Sequence, residues 1–160
     1  MQGQVIGMNT ATDEDEDTAC CTYAIPSNTI THIVPKLIQN GTYIHPYIGL
    51  EPTTLTADLF AESFEEDLPN TIKGVLVTNI DKYGPAYKAG LKGSITDQFG
   101  DLRGGDIITA IDGQQIATAD KFNSYIDEHK SVDEYVILTV YRNGQILNFN
   151  VTLEKNPDYY

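Results

Sequence analysis

Nucleophilic hydrolysis is the first chemistry to consider, because the chain contains both serines and histidines. That chemistry needs a serine hydroxyl beside a histidine base, with oxyanion-stabilising donors close by. The histidines His32, His45 and His129 fall on predicted helices or in a loop between them, and none lies in a setting typical of a base. The serines are equally scattered, and they are Ser27, Ser63, Ser94, Ser124 and Ser131. We therefore predict that this chain holds no catalytic residue.

Metal binding is the second candidate chemistry, and two clusters invite it. The run from Asp13 to Asp17 has five adjacent carboxylates, but it lacks the spaced ligands, the turn glycine and the distal glutamate of a calcium loop. The neighbours Cys20 and Cys21 could form only a strained bridge with each other. We predict a solvated acidic loop, two small strand residues, no metal site and no cofactor.

The charge of the chain excludes several classes of partner. The formal net charge is −13 and the isoelectric point is about 4.3, so nucleic acid and anionic membrane surfaces would be repelled. No apolar run approaches the roughly 20 residues that cross a bilayer. We predict neither nucleic-acid binding nor membrane insertion, and we expect no targeting signal within this stretch of sequence.

The stretch from His45 to Glu51, with the sequence HPYIGLE, is the strongest candidate for binding chemistry. Proline sets the entry, and Gly49 allows successive backbone N–H groups to point into one concavity that can hold a carboxylate. The apolar residues around the glycine predict a strand that follows at once, with an edge open to a partner. This pattern predicts a peptide-binding groove.

The elements downstream of this stretch are those that a groove requires. Predicted strands cover 74–80 and 106–111, a short helix covers 84–91, and Thr118 begins a helix that continues to about His129. A helix capped by Thr56 is predicted over 56–66, and 92–105 reads as an irregular insertion. The pairs Asp112-Gly113 and Asn143-Gly144 are typical of tight hairpin turns.

The elements upstream are simpler. Strand-like runs at 4–11 and 20–25 predict a hairpin. A helix then follows, with Ser27, Asn28 or Thr29 as its side-chain cap and Gly41 as its end. Pro35 predicts either a kink or two abutting helical pieces. We predict an α+β fold: a partly open antiparallel β-barrel with two or three short helices, preceded by this hairpin and a linking helix.

Several stretches resemble, in the same order, segments of the HtrA (Deg) family of serine proteases. The run TYAIPSNTITHIVPKLIQNGTYIHPYIGL resembles the junction between the trypsin-like protease domain and the first PDZ domain. The runs GVLVTNIDKYGPAYKAGL, LRGGDIITAIDGQQI and TADKFNSYI resemble successive parts of that PDZ domain. The resemblance covers nearly the whole chain.

The resemblance implies a domain organisation and a place for the missing chemistry. It assigns 1–26 to the last strands of an incomplete protease domain, 27–42 to a connecting helix, 43–156 to a PDZ domain and 157–160 to a flexible tail. In this family the catalytic serine precedes these strands, so the chain alone is expected to be inactive.

The resemblance also implies the binding residues. A peptide would pair with the strand that begins near Ile48, and its carboxylate would meet the N–H groups of Tyr47 to Leu50. The predicted peptide-binding residues are Tyr47, Ile48, Gly49, Leu50, Phe122, Asn123 and Ile126. The alternative for Phe122 and Ile126 is a purely structural role, in which they seal the helix to the barrel.

Two functions follow from the resemblance. The first is a binding module that captures peptides or unfolded proteins with apolar C-termini for protein quality control. The exposed edge of the hairpin also allows pairing with a second copy of the chain in a homo-oligomer. The alternative is one part of an active serine endopeptidase that needs an upstream catalytic region. The family also implies an extracytoplasmic or periplasmic compartment.

Overall fold

The computed structural model describes residues 4–12, 22–64 and 72–157. The chain divides into two compact units, residues 1–43 and 44–160. The predictions for Asp13 to Asp17, for Cys20 and Cys21, and for the last three residues of the tail lie outside the described residues. In the described segments, no helix has the length and apolar character needed to cross a bilayer.

The first unit is a hairpin followed by a helix. Strand β1 (Gly7–Thr12) pairs antiparallel with β2 (Thr22–Pro26), and helix α1 (Ser27–Asn40) follows directly. The helix ends as predicted at Gly41, which has a φ of 71° and donates its N–H to the Leu37 carbonyl at 2.9 Å.

The predicted side-chain cap of α1 is wrong. The residue that precedes the helix is Pro26, and no side chain caps the first turn. The N–H of Ser27 instead donates to the Ile6 carbonyl at 3.0 Å, so the backbone of the hairpin satisfies a donor that a side chain would otherwise meet. Pro35 lies inside one continuous helix, which rules out two abutting pieces.

The second unit, from residue 44 onward, contains the remaining helices and strands. Its helices are α2 (Ala57–Ser63), α3 (Pro85–Ala89) and α4 (Ala119–His129). Its strands are β3 (Pro46–Tyr47), β4 (Leu50–Thr54), β5 (Val75–Ile80), β6 (Ile95–Thr96), β7 (Leu102–Arg103), β8 (Ile107–Ile111), β9 (Gln114–Gln115), β10 (Tyr135–Arg142), β11 (Gln145–Thr152) and β12 (Glu154–Lys155).

The main sheet is antiparallel and open. Its strand order is β11-β10-β8-β5-β4, with β9 added to β8, so β4 lies at one end of the order. Strand β12 pairs with β3, and β6 pairs with β7, in two small separate sheets. This confirms the predicted α+β class and the partly open barrel.

Local rules placed most turns and caps correctly. Asn143 and Gly144 both have positive φ, 50° and 79°, as a two-residue hairpin turn requires. Thr56 and Thr118 cap α2 and α4 by accepting backbone N–H groups from three residues downstream.

The prediction of an irregular insertion at 92–105 is wrong, because this segment contains the β6–β7 hairpin. The Asp97 carboxylate organises its turn by accepting the N–H groups of Phe99 and Asp101 at 2.8 and 3.0 Å.

The core lies where α4 and α3 cover one face of the main sheet. Side chains from all these elements form one buried cluster, which includes Val75, Val77, Ile108, Phe122, Leu138 and Val151. A smaller cluster joins α2 to the sheet through Phe60, Leu76 and Ile107. Alternate residues of β10 are buried, because successive side chains of a strand point to opposite faces and one face of β10 packs against the core.

A buried ion pair links the strands of the sheet to the segment after α3. Asp106 is fully buried (0% exposed), and both of its carboxylate oxygens accept bonds from Arg142 at 2.6 Å. The same carboxylate accepts the Lys92 N–H at 2.8 Å, while Arg142 also donates to the Gly90 carbonyl at 2.9 Å. Three parts of the chain are therefore joined through one carboxylate and one guanidinium.

Removing the guanidinium should be costly. Arg142→Met would leave the buried Asp106 charge without its partner, which should lower the free energy of unfolding by about 3–5 kcal/mol. Lys88→Met is the matched control, because the Lys88–Glu154 pair is half exposed and should contribute less than about 1 kcal/mol. Urea denaturation of the two variants measures the difference, and equal losses would contradict the role assigned to the buried pair.

The pH dependence of stability should come partly from Asp112. Burial acts to raise the pKa of this carboxyl group, but its hydrogen bonds outweigh burial and hold the pKa below its ordinary value of 3.8. The donors are Lys130 Nζ at 2.8 Å, the Ile137 N–H at 2.8 Å and the Tyr125 hydroxyl at 3.1 Å. A depressed folded-state pKa stabilises the fold above the unfolded value, and the contribution is lost as the pH falls through the folded value.

Asp112→Asn should therefore reduce stability at neutral pH and flatten the loss of stability on acidification. Asparagine also tolerates the positive φ of 48° at this position. We expect the variant to differ from the wild type by about 1–2 kcal/mol at neutral pH, and by much less near about pH 2. Thermal unfolding measured across this pH range gives the result, and parallel curves at all pH values would contradict it.

Candidate peptide-binding groove

A cleft of about 320 Å³ lies between the β3–β4 loop and helix α4. Its lining includes all seven residues that the sequence predicts for peptide binding, together with Pro46 and Asp127. The seven are Tyr47, Ile48, Gly49, Leu50, Phe122, Asn123 and Ile126. Residues that are more than 70 positions apart in the chain thus meet at one surface.

The backbone of the loop packs closely against the segment before α3 at Gly49. Gly49 has a φ of +73°, and a Cβ built on it would lie 3.2 Å from Pro85 Cδ and 3.3 Å from Gly84 Cα. Two hydrogen bonds hold the loop against this neighbouring segment. The Asp81 N–H donates to the Gly49 carbonyl at 3.0 Å, and the Ala86 N–H donates to the Ile48 carbonyl at 2.9 Å.

A side-chain bond completes this support. The Tyr47 hydroxyl donates to the carboxylate of Asp81, and the Asp81 carbonyl in turn accepts the Gly84 N–H at 2.9 Å. The carbonyls of the loop are thereby used for bonds within the fold. Among the described residues, no hydrogen bond is donated by the N–H group of Ile48 or of Gly49. Two donors of the kind that bind a carboxylate therefore belong to residues lining the cleft.

The helix supplies the apolar wall of the cleft. Phe122 and Ile126 are only 1% and 5% exposed and belong to the main core cluster, yet both also line the cleft. These two residues therefore pack in the core, as the alternative role required, and they also line the cleft. Asn123 is exposed, and it lies on the cleft side of α4 with Asp127, one helical turn further on.

Strand β4 forms the opposite wall. It is the last strand of the main sheet and pairs only with β5 among the described strands, so its other edge is unpaired there and faces the side of α4. At the far end of this edge, the Thr54 hydroxyl accepts the Ala119 N–H at 3.0 Å and ties the strand to the start of the helix. The unpaired edge therefore extends from the loop to Thr54.

Sequence reasoning missed two features near the mouth of the cleft. His45 Nδ1 lies 3.9 Å from an Asp127 carboxylate oxygen, and this pair flanks the loop. Asp127 could have been found from the sequence, because it is four residues beyond Asn123 on the same helix face. The contact of Tyr47 with Asp81 joins residues 34 positions apart, and no local pattern signals it. Within the described residues, no group of three or more His, Cys, Asp or Glu side chains is placed to hold a metal ion.

The enclosed glycine leads to a test of the loop. Gly49→Ala should lower stability by more than Gly113→Ala. Both residues have positive φ, but a Cβ on Gly49 would lie 3.2–3.3 Å from other atoms, whereas a Cβ on Gly113 would have none within 4 Å. The control should lose about 1 kcal/mol of unfolding free energy, from backbone strain alone. Chemical denaturation of both variants measures the excess, and equal losses would contradict the close approach at Gly49.

Comparison with known proteins shows which family has this arrangement. The family model of the PDZ domain matches residues 46–153. The chloroplastic Protease Do-like 1 of Arabidopsis thaliana is 32% identical over 157 residues, which cover 98% of this chain and 34% of that protein. The serine protease Do-like HtrB of Bacillus subtilis is 26% identical over 161 residues, which cover 98% and 32%. The chain thus spans about a third of the length of these curated relatives.

Solved structures give the same result. The HtrA-type protease AlgW with a decapeptide superposes with a TM-score of 0.70 at 25% identity, over 97% of this chain and 43% of that one. AlgW with a tripeptide gives a TM-score of 0.70 at 26% identity, over 97% of this chain and 46% of the AlgW chain. This chain belongs to the PDZ domain family, and its relatives are HtrA-type serine proteases.

Proposed function

We propose that this PDZ domain captures C-terminal or exposed apolar segments of other proteins by adding them as an antiparallel strand to β4. The observation that carries the proposal is the cleft, where the Gly49 loop, the unpaired edge of β4 and the apolar side of α4 meet. The related protease AlgW has been solved with a decapeptide and with a tripeptide, which supports a peptide as the occupant.

Each wall of the cleft has a part in this mode of binding. The terminal carboxylate of the peptide is received by backbone N–H groups of the loop, with those of Ile48 and Gly49 at its centre. The last side chain enters the apolar space between Leu50 and the α4 residues Phe122 and Ile126. The cleft volume of about 320 Å³ is at the lower end for ligand sites, so a short segment suits it better than a long one. Affinity is weak, because the contact is small and orders a flexible peptide.

In the whole protein, the domain delivers unfolded or damaged proteins to a serine protease of the HtrA type, or switches that protease, in an extracytoplasmic compartment. The names of the relatives support this role, since they include a probable periplasmic endoprotease of Brucella suis and a chloroplastic protease. The second candidate is a direct part in peptide hydrolysis, with the catalytic groups supplied by a further region. The named protease activity of the relatives favours it.

The role of the loop can be tested with one pair of peptides. A peptide that ends in an apolar residue with a free carboxylate should bind at least about tenfold more tightly than the same peptide with a terminal amide, because the charge-assisted bonds to the loop are lost. Isothermal titration calorimetry of the 160-residue chain with both peptides measures the ratio. Equal affinities would remove the carboxylate from the proposal and leave only capture of internal segments.

A further inference from the structure

The two edges of β4 can be assigned residue by residue. The Gly49 carbonyl accepts from Asp81, the Glu51 carbonyl accepts from the Thr78 hydroxyl, and the Leu55 N–H donates to Gly74. All three bonds go to the β5 side of the strand. Because the N–H and C=O groups of successive residues alternate between the two edges, the even-numbered residues of β4 face the unpaired edge.

The register of the pair supports this alternation along the whole strand. The register that pairs β4 with β5 shifts once, and Thr78 has no opposite residue in this register. The extra residue at the shift therefore belongs to β5 and not to β4. The alternation in β4 is therefore unbroken between Leu50 and Thr54. The middle residue of the three that face the unpaired edge is Pro52, which has no backbone N–H.

We infer that Pro52 interrupts the hydrogen-bond ladder between β4 and a bound peptide, so that the groove reads only a short C-terminal segment. This inference rests on the proposed function. The terminal residue of the peptide donates its N–H to the Leu50 carbonyl, and the third residue from the end lies opposite Pro52. That residue can still donate its N–H to the Pro52 carbonyl, but its own carbonyl finds no donor on β4 and stays hydrated.

The missing donor defines the class of ligand. In a continuous ladder, each peptide residue that faces the strand exchanges two bonds, and longer segments gain affinity with length. Here the exchange is incomplete at the third residue from the end, and β4 ends at Thr54, whose hydroxyl accepts the Ala119 N–H. Binding therefore depends on the carboxylate and the last side chain, and extension of the peptide beyond about three residues adds little.

The test restores the donor. Pro52→Ala gives the strand an N–H at the position opposite the third peptide residue, and a backbone hydrogen bond of ordinary strength should tighten binding roughly two- to tenfold. The probe is a peptide of about ten residues that ends in valine with a free carboxylate. Pro35→Ala is the matched control, because it makes the same chemical change inside α1 and should leave the affinity unaltered.

An ester analogue of the same peptide shows whether the gain is that bond. The ester replaces the amide between the third-last and second-last residues, which weakens the carbonyl opposite position 52 and removes an N–H that points away from β4. We expect the ester to change the affinity of the wild type by less than about twofold and to abolish most of the gain in Pro52→Ala.

The outcomes separate this inference from the function on which it rests. If the wild type binds the amide-linked peptide but Pro52→Ala binds no more tightly, with an unchanged unfolding temperature, the interruption is refuted and the peptide-binding function stands. Equal weakening of both proteins by the ester would also refute it. If neither protein binds the peptide, the proposed function fails, and the inference fails with it.

Discussion

The binding surface depends on one steric constraint, which is the close approach of Gly49 to the turn before α3. A backbone with a φ of +73° is rare for residues with a side chain, and here a Cβ would lie only 3.2 Å from Pro85 Cδ and 3.3 Å from Gly84 Cα. This approach allows Asp81 and Ala86 to donate to the carbonyls of the loop. With these acceptors used inside the fold, the loop keeps N–H groups for a ligand. The site is therefore held by the segment behind the loop rather than by the loop itself.

The second requirement is an open strand edge, and an open edge carries a risk. An unpaired edge of a sheet can pair with another chain, and proteins limit this with proline, charge or a covering element. Strand β4 combines all three, because it contains Pro52, carries the exposed Glu51 and lies beside α4. We infer above that Pro52, which limits edge-to-edge pairing, also limits the length of a bound peptide.

The buried Asp106–Arg142 pair connects the groove to the rest of the domain. Asp106 precedes β8, Arg142 ends β10, and both bond to the segment that follows α3. Helix α3 begins directly after the turn that supports Gly49. The ion pair thus anchors the segment after α3 to the sheet. Its desolvation is offset because both carboxylate oxygens and the guanidinium make several hydrogen bonds.

The sequence by itself determined the features that depend on neighbouring residues. Thr118, Asn143-Gly144 and Gly49 were correctly interpreted because caps, hairpin turns and left-handed positions follow from side chains within a few residues. Features that join distant segments were not predictable. One is the hydrogen bond from Tyr47 to Asp81. Another is the backbone bond that the Ser27 N–H makes in place of a side-chain cap. Both form only when folding brings separate segments together. The sequence named seven residues that line the cleft. The tertiary structure decided which backbone groups remain available at the edge of β4, because that depends on how each strand is paired.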